Sequence, residues 1–172
     1  MAFEYELPTP PFPVPPFREM NPEEATRHFS WFTSIAEKRR EVLLNAIAAT
    51  GGLDLPCDLT PRSLIPVWGW VSRHLQAATE TTLTPGSLGL VLDTGFFLAE
   101  VFFRQYPGRL HWMLWTRKTG PQNKAVIEGF KAPFVPSDVV KACAWNVLKS
   151  GPQDDLLYRK YLVWAKDLER TP

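Results

Sequence analysis

Residues 88–106, LGLVLDTGFFLAEVFFRQY, decide how this chain is read. Leu88, Val91, Leu92, Gly95, Phe96, Ala99, Phe102 and Phe103 recur at three- and four-residue steps, which sets them on one face of a 3.6-residue period. The same stretch holds Asp93-Thr94-Gly95, a triplet that resembles the signature of aspartic proteases. Such enzymes place the aspartate on a tight loop after an apolar strand, and two carboxylates share one proton so that one acts as base and the other as acid. A single copy would demand a homodimer. Leu90-Val91-Leu92 supplies an apolar lead-in, and Val126-Ile127 before Glu128-Gly129 loosely echoes the downstream element, yet Phe96 to Phe103 continues as helix where that fold needs a loop and a strand. The spacing therefore predicts a long interior helix from Thr84-Pro85 to near Pro107, and an aspartic-type hydrolase at Asp93 is the less favoured alternative.

Glu100 lies between Ala99 and Val101, on nearly the same face as Asp93, so at least one of the two acids is expected near the core. An unpaired buried carboxylate costs roughly several kcal/mol, which calls for a partner: an indole N–H of Trp112 or Trp115, a hairpin backbone amide, or an arginine. The expected role is a buried acid pinning the hairpin to the helix. Asp93, Glu100 and Trp112 are also the candidate residues for a ligand.

Outward from this helix, Asn21-Pro22 and Thr60-Pro61 repeat the cap-then-proline start of Thr84-Pro85. The first opens a helix with Ala25, Phe29, Phe32, Ala36, Leu43 and Ile47 inward, ended by Gly51-Gly52; Glu37 to Glu41 reads as mostly solvated charge. The second opens a helix over about 61–75, which Pro66 is expected to kink. Past Pro107, Leu110 to Thr116 alternates in a β-prone way, Lys118-Thr119-Gly120-Pro121 turns, and 125–130 offers a second strand. A two-stranded ribbon is marginal alone, so the hairpin should pack on the long helix. Two more helices follow, one capped by Ser137 and running to Lys149, the other from about Asp155 to Leu168. The fold class is α+β: a mainly helical single domain over 21–172, with about five helices and one antiparallel hairpin. Residues 1–20 carry Pro8, Pro10, Pro11, Pro13, Pro15 and Pro16 and favour an extended polyproline II arm. Its Pro10, Pro13 and Pro16 spacing fits a PxxP ligand, but Phe12, Val14 and Phe17 favour an arm lying on its own domain.

Composition bounds the function. The chain has 172 residues, 45% of them hydrophobic, and seven tryptophans, enough for a core without staples. A net charge of +1 gives no global pull toward nucleic acid or an acidic membrane. Cys57 and Cys143 lack metal-ligand spacing, no signal-peptide pattern opens the chain, and no run is expected to reach the ~20 apolar residues of a membrane span, so a cytoplasmic protein with free thiols is expected. His28, His74 and His111 fall on separate elements, and no phosphate loop or nucleophile elbow appears, so no metal, no cofactor and no catalytic residue is assigned. Arg109, Arg117, Lys118, Lys124 and Lys131 make the hairpin basic, with Trp112 and Trp115 between them. Strand alternation turns the rings inward, which disfavours nucleic-acid stacking and leaves a positive rim for an acidic protein partner.

One resemblance adds to this. Glu24, Phe29, Trp31-Phe32, Arg39 or Arg40, Leu59-Thr60-Pro61, Ser63-Leu64, Trp68, Trp70, Phe96 through Phe102, Leu110, Trp112, Gly129-Phe130 and Pro136 resemble a family of small bacterial cytosolic proteins, uncharacterised as a group, over about residues 21–164. The resemblance implies an immunity or accessory factor, a non-enzymatic protein that binds and neutralises a partner toxin. It brings no catalytic residues. A small-molecule or nucleic-acid binding module built on the Trp-containing hairpin is the alternative.

Overall fold

The structure, a computed structural model, describes residues 4–52 and 58–170. Its described residues hold five α-helices and a two-stranded antiparallel sheet: α1 Pro22–Ala49, α2 Leu64–His74, α3 Pro85–Gln105, β1 His111–Leu114, β2 Ala125–Glu128, α4 Pro136–Ser150 and α5 Leu156–Glu169. The protein is thus a mainly helical α+β fold. Cys57, and with it the question of a disulfide, lies outside the described residues; Cys143 is buried as a free thiol, and burial pushes it up to about 11.

Proline starts shape the helices. At α1, the Asn21 side chain accepts from the Glu24 amide while the Glu24 carboxylate accepts from the Asn21 amide, both at 2.9 Å, completing a capping box. Thr84 caps α3 by accepting from the Ser87 amide at 3.2 Å. The start at Thr60 differs from expectation. Asp58 accepts from both the amide and the hydroxyl of Thr60, a 3₁₀ turn covers Pro61–Ser63, and α2 begins only at Leu64. Pro66 then sits in the first turn of α2, where the N–H that it lacks would have had no intrahelical partner. Ser137 is not the cap of α4: Val135 holds that position, and Pro136 opens the helix as Pro22 and Pro85 open α1 and α3.

Helix α3 is the axis. It packs along α1 and α4 and touches α2, while α5 closes the far side over α2 and α4. Leu90, Phe96, Phe97, Leu98, Val101 and Phe102 are buried within it. By length and composition α3 is apolar enough to cross a membrane, contrary to the expectation that no run would be; 72% of that window is buried inside the domain, as in a core helix. Gly95 lets α4 come close, since a Cβ there would stand 3.0 Å from the Ser137 amide nitrogen. The hairpin pairs Trp112 with Ile127 and Leu114 with Ala125. Its backbone runs beside α1, and Trp112 reaches Phe96 and Phe103 of α3 with ring centroids 6.4 and 5.8 Å away. The second strand stops at Glu128 because Gly129 takes φ +117°, where a Cβ would collide with the Arg109 carbonyl at 2.7 Å.

The arm, described from Glu4, lies on the domain. Gly86 and Gly89 form a notch in α3 that its backbone crosses: a Cβ at Gly89 would sit 2.6 Å from the Glu6 carbonyl oxygen. Farther on, Phe12 meets Trp31 and Phe17 meets His28 edge to face. The Asn123 amide donates to the carbonyls of Phe17 and Met20 at 2.7 and 3.1 Å, fixing where the arm enters α1.

Candidate functional site

Asp93 is fully buried in the middle of α3, not exposed on a loop. Arg39 of α1 donates to both its oxygens, from Nε at 3.0 Å and from Nη2 at 2.7 Å, and the Tyr5 hydroxyl donates at 2.5 Å. Arg39 also donates to the Glu6 carbonyl at 2.9 Å, so one guanidinium ties α3, α1 and the arm together. Burial pushes the Asp93 carboxyl up, against the pull of Arg39 and Tyr5. Burial likewise opposes charge on Arg39, but the hydrogen bond and charge of Asp93 outweigh it and hold the guanidinium above its usual value. Donors arriving at both oxygens identify the ionised carboxylate as the form this geometry accommodates. Burial, and then the neighbouring Asp93 charge, raises the Tyr5 phenol well beyond its ordinary range.

Glu100 is the less buried of the two acids. Its side chain is 26% exposed and sits between Arg40 of α1 at 3.3 Å and Arg104, one turn on, at 3.1 Å. An arginine partner was among those expected, but neither acid pins the hairpin: Arg40 joins Glu100 to α1, and the hairpin is held by the Trp112 ring against Phe32, Phe96 and Phe103.

The basic residues of the hairpin are spread over several contacts. Lys124 bonds both carboxylate oxygens of Asp138, at 3.1 and 3.0 Å, and Lys131 lies 3.8 Å from Asp167. Arg109 donates to the Leu168 carbonyl at 3.0 Å, and Arg117 stacks over Trp115, whose indole donates to the Thr119 carbonyl. Lys118 is exposed in the connecting turn. Exposed pairs of this kind contribute little to stability and carry little net charge to a partner.

A cavity of about 580 Å³ lies between the arm, α1, α3 and the start of α4. Phe12, Phe17, Trp31, Phe32, Leu88 and Leu92 line it and are all only half-buried, an unusual concentration of large apolar side chains not sealed by packing. His28 shares the wall. It is 8% exposed, its Nδ1 has no hydrogen-bond partner, and burial lowers its pKa, which favours the neutral ring. Lys124, Ser137, Asp138 and Lys141 form the polar rim. A larger groove, about 790 Å³, opens on the other side of Phe17, but Arg18, Glu19 and Gln122 make its walls more polar.

Trp112 and Glu100 do not line this cavity; of the residues singled out in the sequence, Lys124 does. Arg39 and Tyr5 were missed, the first because Glu37 to Glu41 read as a solvated charge cluster. Of the α1 residues on the cavity wall, Phe32 was read as part of the inward stripe, whereas His28 and Trp31 were given no place on it. Among the described residues no group of three or more His, Cys, Asp or Glu is placed to hold a metal.

No family model, curated protein or solved structure matches the chain. The family resemblance noted in the sequence rests on its aromatic motifs alone.

Proposed function

We propose that this protein is a non-enzymatic binding module that takes a small apolar molecule into the cavity beneath its N-terminal arm. The observation that carries this reading is the convergence of six half-buried large apolar side chains on a space of about 580 Å³, within the range of small-ligand sites. The arm forms the roof, and the Asp93–Arg39–Tyr5 group secures one end of it. Titration with phenylnaphthylamine, an uncharged apolar fluorophore, tests the proposal. Saturable binding with quenching of tryptophan emission is expected, and Leu92→Trp, which fills the space, should abolish it; binding unaffected by that substitution would place the probe elsewhere.

A protein partner, a toxin among the candidates, is a second reading favoured by a different observation. Leu162 and Val163 on α5 are 40% and 64% exposed beside the charged Lys131, Lys166 and Asp167. Exposed apolar side chains with a charged border suit a protein interface. Val163→Asp should then weaken a complex recovered by affinity capture while phenylnaphthylamine binding is retained.

A further inference from the structure

On α5 the exposed apolar side chains stand among cations. The residues that flank Val163 on the helix surface, three, four and seven positions away, are Arg159, Lys160, Lys166, Asp167 and Arg170. Arg159 and Asp167 are already engaged. Arg159 pairs with Asp155 at 3.2 Å, and the Asp167 carboxylate accepts from the Lys131 amide at 3.1 Å with the Lys131 ammonium 3.8 Å away. Lys160, Lys166 and Arg170 are exposed and have no ion-pair partner among the described residues. Glu169, the remaining acid on the outer half of the helix, lines up with Leu162 instead. Beside Val163 the surface is concave: a depression of about 380 Å³ is lined by Val163, Ala132 and the half-buried Trp164, with Lys166 and Arg170 also in its wall.

We propose that α5 docks an acidic helical segment of a partner protein. One large apolar side chain of that segment enters the depression beside Val163, and its carboxylates meet Lys160, Lys166 and Arg170. These three cations span about 15 Å along the axis, so acids on successive turns of a short partner helix reach all of them. A nucleic-acid backbone would use the cations but leave Leu162 and Val163 against water, and a bilayer surface would leave the depression unfilled. The proposal rests on the second reading above, which places a protein on α5, and adds the sign of the charge that the partner carries. The exposed cations set the rate of encounter and its salt dependence, and the seated apolar side chain sets the lifetime of the complex.

Three fluorescein-labelled peptides of about four helical turns test this on the full chain. All carry one central leucine in an alanine background, with glutamate, glutamine or lysine at the remaining positions. Fluorescence anisotropy at low salt should show the glutamate peptide binding at least about tenfold more tightly than the glutamine peptide, and the lysine peptide not binding. Lys160→Glu with Lys166→Glu should erase the preference for glutamate. Leu162→Ser with Val163→Ser, which removes the apolar contact without adding charge, should weaken the glutamate peptide at least about tenfold. Both double variants should keep the circular dichroism spectrum of the parent chain. Equal affinity for the glutamate and glutamine peptides, or a glutamate preference that survives the lysine reversal, overturns the acidic assignment and leaves the apolar patch of α5 standing. Failure of all three peptides to bind, or glutamate-peptide affinity unchanged by the serine pair, overturns the patch as a docking surface. Adsorption to phosphatidylglycerol vesicles that is lost in the serine pair, with no peptide bound, assigns the patch to a membrane surface and overturns the proposal.

Discussion

Two carboxylates on α3, about two turns apart, meet adjacent arginines of α1 and end in opposite situations. Asp93 is sealed from solvent, accepts from Arg39 at both oxygens and holds the arm through Tyr5; Glu100 is a quarter exposed and shared loosely between Arg40 and Arg104. The packing around them differs in the same sense. On the arm side α3 offers Gly86 and Gly89 so that backbone can lie against backbone, whereas on the hairpin side it offers Phe96 and Phe103 and fills space with rings. The arm is therefore docked by fit and buried charge, and the hairpin by bulk. The two sides should respond very differently to small changes.

The largest difference concerns Asp93. Asp93→Ala leaves the Arg39 guanidinium buried without its partner, and breaking a buried pair in this way costs about 3–5 kcal/mol. Urea denaturation should report that loss, and limited proteolysis should show the arm cut early. Replacing the pair together, Asp93→Leu with Arg39→Met, should return most of the stability, because the penalty lies in the stranded charge more than in the lost attraction. A double variant as unstable as the single one would show that the pair itself holds the fold.

Next in size is the notch. Gly89→Ala places a methyl 2.6 Å from the Glu6 carbonyl oxygen, and that neighbour is backbone, which no side-chain rotation can move aside, so about 1–3 kcal/mol is expected, with selective release of the arm. Gly108 provides the contrast. It has open space around its Cβ position and a φ of +74°, so alanine there should cost only about 1 kcal/mol in backbone strain and leave the arm in place. Equal protease sensitivity in the two variants would remove the notch as the reason the arm docks.

His28 gives a smaller, pH-dependent effect on the arm side. Its folded pKa lies below the ordinary 6.5 because burial disfavours the imidazolium. As pH falls below about 6.5 the unfolded chain takes up a proton that the folded ring resists, so the unfolded state binds more protons and stability drops. The contribution is complete above about 6.5 and is lost as pH falls through the folded value. His28→Phe keeps a ring among Phe17, Trp31 and Phe32, removes the unpartnered nitrogen, and should flatten that slope while adding up to about 1 kcal/mol. An unchanged slope would assign the acid sensitivity to other groups.

The same contrast explains what could be read in the sequence. Helix periodicity, proline starts and the alternating hairpin were legible because each is a local pattern, and α3 stands where Leu88 to Phe103 put it. Asp-Thr-Gly was ambiguous for a local reason too: aspartate and glycine in a helix both go against propensity, and their explanations lie on other elements. Asp93 is held by Arg39 and Tyr5, 54 and 88 residues away, and Gly95 by the close approach of α4. The cavity was invisible for the same reason, since its walls come from the arm, three helices and the start of β2. Arg39 was hidden among charges that a linear reading sends to solvent.

Glu100→Ala should have the smallest effect and tests the comparison most directly. Its pairs with Arg40 and Arg104 involve partly exposed groups, and such contacts contribute about 0–1 kcal/mol, weakened further by salt. Both arginines keep access to water when the carboxylate goes, since their side chains are 15% and 54% exposed, so no stranded charge results. The loss should fade between low and high ionic strength, whereas the Asp93→Ala loss should be nearly insensitive to salt because its ion pair is shielded by protein. A Glu100→Ala cost above about 2 kcal/mol, independent of salt, would mean that α3 relies on charge at Glu100 as heavily as at Asp93, and the contrast between the two carboxylates would fall.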